Sequence, residues 1–111
     1  MRAIKINTDR RNVEVIDFEG DYLEIQKEIG VDCFTCVDLD DNNSLFVDDE
    51  GLFKNTDFFM VEGYPEPLAG NGLILGLDYE TGETIGAEME VPKIKFISRM
   101  ELAIMAKSGS L

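Results

Sequence analysis

Cys33 and Cys36 have the spacing of a dithiol redox pair or of half a zinc site, and they are the first residues whose types could do chemistry. Their surroundings argue otherwise. A structural zinc site needs four ligands, and the chain has no other cysteine and no histidine. In an extended strand, residues three apart point to opposite faces, so the two thiols could not meet there; packing in the core is the better reading. Asp38, Asp40, Asn42 and Ser44 occupy the first, third, fifth and seventh positions of a calcium-loop pattern, with Leu45 at the eighth. The pattern fails at the sixth position, Asn43 in place of Gly, and at the twelfth, Asp49 in place of the bidentate Glu. An acidic hairpin tip fits better. Lack of histidine also removes the usual Ser-His and Cys-His nucleophile pairs, and Gly70-Asn71-Gly72 lacks the Gly, Lys and helix of a phosphate-binding loop. No catalytic residue, metal site or cofactor is therefore expected, and the chain reads as a non-enzyme.

Charge is the extreme property. Asp and Glu number 23 against 10 Lys and Arg, a formal net charge of −13, and residues 17–90 alone carry −18 while the segments before and after them are net positive. Such a field repels nucleic acid and anionic membranes, so direct binding to either is disfavoured; it attracts basic protein surfaces, or simply keeps the chain soluble. With no apolar run near the length of a bilayer, an N-terminus that alternates charge with apolar residues, and too few cysteines for a disulfide framework, the expected address is the cytoplasm.

The elements that must position these acids are short. Arg2–Asn7 and Val13–Phe18, separated by Thr8-Asp9-Arg10-Arg11-Asn12, predict a hairpin. Asp21 three residues before Glu24 is a capping-box pattern, and with Gly30 it bounds a helix over Tyr22–Ile29. Cys33–Leu39 and Ser44–Val47 predict a second hairpin with Asp48-Asp49-Glu50-Gly51 as the next turn. Residues 52–72, with Pro65 and Pro67, are expected as a structured loop with a helical turn near Phe58. Leu73–Leu77 and Thr84–Met89 predict a third hairpin around Asp78–Gly82, and Lys93–Ile97 one more strand. Ser98 and Glu101 then cap a helix over Arg99–Lys107, stopped by Gly109. Runs of strands with two helices make this one α+β domain: mainly antiparallel hairpins forming a sheet, with two short helices, the second at the C-terminus. That last helix is apolar around nearly its whole circumference, so it is either wedged into its own domain or forms a homodimer interface through Met100, Ile104 and Met105.

The order of Arg2-Ala3-Ile4-Lys5-Ile6, the helix before Gly30, the turn Asp48-Asp49-Glu50-Gly51, the segment Gly70-Asn71-Gly72-Leu73-Ile74-Leu75-Gly76 and the turn Glu80-Thr81-Gly82-Glu83 resembles the small phage and mobile-element proteins grouped as domain of unknown function 3846, over about residues 1–90. The resemblance implies a phage or plasmid origin and carries over no catalytic residues. Together with the charge it points to a small acidic protein that binds and blocks a basic surface of a host protein, such as a nucleic-acid-processing defence enzyme, through Asp38, Asp40, Asp41, Asp48, Asp49, Glu50, Glu80 and Glu83. The alternative is an oligomeric binder of a small ligand such as a nucleotide. For that ligand, Arg2, Lys5, Arg10, Arg11, Lys93, Lys95 and Arg99 are the available cations.

Overall fold

The computed structural model describes residues 1–40, 42–51, 54 and 56–107. Among these described residues, nine strands and two helices follow in the order β1 (Arg2–Asn7), β2 (Asn12–Asp17), α1 (Tyr22–Ile29), β3 (Phe34–Asp38), β4 (Asn43–Asp48), β5 (Phe58–Val61), β6 (Leu68–Ala69), β7 (Gly72–Leu77), β8 (Thr84–Ile85), β9 (Ile94–Ile97) and α2 (Arg99–Lys107). The class is α+β with every strand pair antiparallel, as expected, and the strands divide between two sheets. The larger runs β2-β1-β7-β4-β3 with β8 also on β7; the smaller runs β6-β5-β9.

Alternation along the strands sorts the side chains into layers. Ile4, Ile6, Leu45, Val47 and Ile74 leave one face of the large sheet and pack on Phe59 and Val61 of the small one. From the opposite face Ala3, Leu73 and Leu75 meet Ile25 and Ile29 of α1. The outer face of the small sheet, Phe58, Ala69 and Ile97, is covered by Leu102 and Met105 of α2. The order is helix, large sheet, small sheet, helix.

Both helices are set by local caps. The Asp21 carboxylate accepts from the Leu23 N–H at 3.0 Å, and Gly30, at φ 72°, ends α1 by donating to Gln26 O at 2.8 Å. Ser98 Oγ accepts from the Glu101 N–H at 3.0 Å at the start of α2. Gly109 lies outside the described residues.

Three expectations are corrected. The helical turn near Phe58 is strand β5, whose four residues are apolar throughout because Phe59 and Val61 enter the inter-sheet core while Phe58 and Met60 face α2. Pro65 and Pro67 fall in the β5–β6 connection, where they break no ladder, and Leu52, Phe53 and Asn55 of the expected loop lie outside the described residues. The return strand of the third hairpin is only Thr84–Ile85, since the chain then crosses toward β1, where Ala87 N donates to Arg2 O at 2.7 Å. Cys33 and Cys36 are exposed and not in the core: Cys36 lies on β3, the sheet's edge strand, and Cys33 in the bend just before it.

Candidate functional site

The tip of the β3–β4 hairpin is held by one carboxylate. Asp40 accepts from the N–H groups of Asn42 and Asn43, both at 2.8 Å, and from Asn43 Nδ2 at 3.0 Å. The Asn42 bond, with those from Asn43, outweighs slight desolvation and holds the Asp40 carboxyl below its ordinary value. A lowered folded-state pKa stabilises above the unfolded value, so this contribution is complete above about pH 4 and is lost as pH falls through the Asp40 value. A side-chain NMR titration is expected to place the Asp40 midpoint below that of Asp in an unfolded peptide; a midpoint at or above the peptide value would refute the capping role.

Leu77 N donates to Asn42 O at 2.9 Å, and this brings the β7–β8 turn beside the β3–β4 tip. That turn is itself closed: Asp78 accepts from Glu80 N at 3.0 Å, Asp78 N donates to Glu83 O at 2.9 Å, and Gly82 takes φ 74°. Asn43, buried between the strands, accepts from Glu88 N at 2.8 Å and ties a third segment to the same end. The exposed carboxylates gathered there are Asp38, Asp40, Glu80, Glu83 and Glu88. Glu88 was not legible in the sequence, where it sits in an acidic stretch like any other. Asp41 lies outside the described residues.

Asp48, Asp49 and Glu50 do not join them. They stand at the other end of β4, about 16 Å away at strand rise. The Asp48 side chain is only 4% exposed, pairs with Lys54 Nζ at 2.8 Å and accepts from Glu50 N at 2.9 Å, so it closes its own turn and presents little charge outward. That ion pair, with Glu50 and Asp32 nearby, raises the Lys54 pKa.

Next to the acidic end, on the face that α1 covers only in part, lies an open groove of about 530 Å³. Phe34 and Phe46 meet edge to face in its wall, with centroids 5.5 Å apart, and Cys36, Asp38, Ser44 and Thr84 complete it. Partial burial raises the Cys36 pKa; a hydrogen bond with Ser44 opposes this and the Asp38 charge adds to it, so the thiol is not an activated nucleophile. Among the described residues no three His, Cys, Asp or Glu side chains gather as a metal site, and no helix is long and apolar enough to cross a membrane.

Several cations expected for an anionic ligand have other work. Arg2 donates to Ala87 O at 3.1 Å and Met89 O at 2.6 Å, Lys5 pairs with Glu28 at 2.9 Å, and Arg99 donates to Lys54 O at 2.7 Å. In α2, Met100 and Ile104 are 75% and 60% exposed, whereas Met105 packs against the helix's own sheet. The helix is laid on the domain and not wedged into it.

No curated protein and no solved structure matches the chain. A family model described as Domain of unknown function (DUF3846) matches residues 1–100, a span that takes in α1 and every strand, and the chain belongs to that family.

Proposed function

We propose that this chain is a non-catalytic binding protein that docks its acidic end on a basic surface of a partner protein and blocks it. The observation that supports this reading is the junction of two turns through Leu77 and Asn42, which brings the exposed Asp38, Glu80 and Glu83 to one end of the large sheet. Complementary potentials steer such encounters and reject wrong partners. A phage or plasmid setting supplies the partner class: a host enzyme that processes nucleic acid, whose phosphate-binding surface is basic.

The test is size-exclusion chromatography with light scattering, on the protein alone and then mixed with host lysate at about 0.05 M and about 0.5 M salt. A partner that co-elutes at low salt and is lost at high salt is expected. The triple variant Asp38→Asn, Glu80→Gln, Glu83→Gln should retain the wild-type melting temperature and lose at least about tenfold in capture. Capture that survives both changes would overturn the reading. The exposed Met100 and Ile104 favour one second reading, a homodimer closed through α2, and the run on the protein alone reports its mass directly.

A further inference from the structure

The docking site has an edge as well as a charge. In the β3–β4 ladder Leu39 N donates to Asn43 O and Asp49 N to Cys33 O, so the odd-numbered residues of this hairpin arm are the ones hydrogen-bonded to β4. The backbone N–H and C=O of Cys36 and Asp38 therefore point away from the sheet, where β3 is the last strand. We propose that β3 takes an extended Lys- or Arg-bearing segment of the partner protein as an added strand, an inference that rests on the docking reading above and specifies how the partner is held.

Exposed edges invite pairing, and proteins guard them with short strands, charged side chains (above all Lys), prolines or bulges. Among the described residues three other edges have such guards: β6 and β8 are two residues long, and β9 carries Lys95 beside Lys93. β2 is open like β3, but Arg10 and Arg11 in the turn before it disfavour a basic strand there. β3 has neither Lys nor Pro, and its register runs unbroken from Phe34↔Asp48 to Asp38↔Ser44.

Charge selects the occupant. Residues 31–50 contain seven Asp and Glu and no Lys or Arg, and of these Asp48 is neutralised by Lys54. A second copy would bring the same charges to the pairing and be repelled; a basic strand would be drawn in. Alternate side chains of that strand would lie beside Cys36, on the face that holds the Phe34–Phe46 groove, where Asp38 also lines the wall and complements a basic side chain.

The test uses the full chain and a labelled eight-residue peptide alternating Arg and Thr, read by fluorescence anisotropy at low salt. Its twin is N-methylated at every second residue, which keeps the charge and removes the donors along one edge. The unmodified peptide should bind and protect the Cys36 and Asp38 amides from hydrogen exchange, and methylation should cost at least about tenfold in affinity. The variant Cys36→Pro removes an outward N–H and no β3–β4 bond, and should lose as much. Equal binding of the two peptides would overturn the added strand while leaving salt-dependent docking intact. Binding of neither, protection elsewhere than β3, or a dimer formed through β3 would overturn it as well, and the lysate experiment would still judge the docking reading by itself.

Discussion

Phe59→Ala is expected to lose about 3–5 kcal/mol of unfolding free energy, the largest effect of any single truncation here. Phe59 is fully buried and stands where the two sheets meet, among Ile4, Ile6, Leu45, Val47 and Ile74. The strands around it are fixed by their ladders, so neighbouring side chains cannot collapse into the space that the ring leaves. A domain of this size has about 5–15 kcal/mol in hand, so the variant should sit near the limit of folding at body temperature. Urea unfolding, with the slope compared to wild type, measures it, and Phe59→Leu should recover more than half of the loss. A loss below about 1 kcal/mol would mean that the small sheet is not held against the large one by this ring.

Gly76→Ala is the second large effect, at about 2–3 kcal/mol, and it disturbs the crossing after β8. A Cβ at residue 76 would lie 2.4 Å from Gly86 O and 3.2 Å from Gly86 C, both backbone atoms. Gly76 is paired with Asn43 on one side and Ile85 on the other, so it cannot step aside. The segment after β8 must move instead, and with it the turn that carries Glu80 and Glu83. At Gly72 the nearest atoms are side-chain ends, Phe59 Cζ at 2.9 Å and Leu45 Cδ1 at 3.0 Å, so the contact there is with side chains and not with backbone. Equilibrium unfolding together with faster exchange of the Ala87 amide, bonded to Arg2 O, is the expected result for Gly76→Ala. Wild-type stability in that variant would show that the β8 crossing is looser than drawn.

The two helices were legible because their ends are written locally: Asp21 and Gly30 bound α1, and Ser98 opens α2. The first two hairpins were legible from turn residues between alternating runs. Sheet membership was not, since it depends on which distant strand lies alongside, and β7 pairs with both β1 and β4 from far along the chain. β5 was missed because a strand buried on both faces has no alternation to read. The site shows the same limit. Asp38, Asp48 and Glu80 look alike as acids in the sequence, but Lys54 pairs with Asp48, while the bond from Leu77 to Asn42 brings the turns near Asp38 and Glu80 to one end of the sheet. The cysteines misled for the corresponding reason: an apolar run around them suggests a core, and only the strand order shows that β3 is last.

The central place of β7 also orders events during synthesis. β1–β2 and β3–β4 emerge first and can each close as local hairpins, but the strand that joins them lies at Gly72–Leu77. Until it arrives, the inner edges of β1 and β4 stand open, with Ile4, Ile6, Leu45 and Val47 beside them. The nascent chain thus passes through an interval in which one edge of each of these apolar strands has no neighbour, and the dense negative charge of residues 17–50 disfavours contact between unfinished copies.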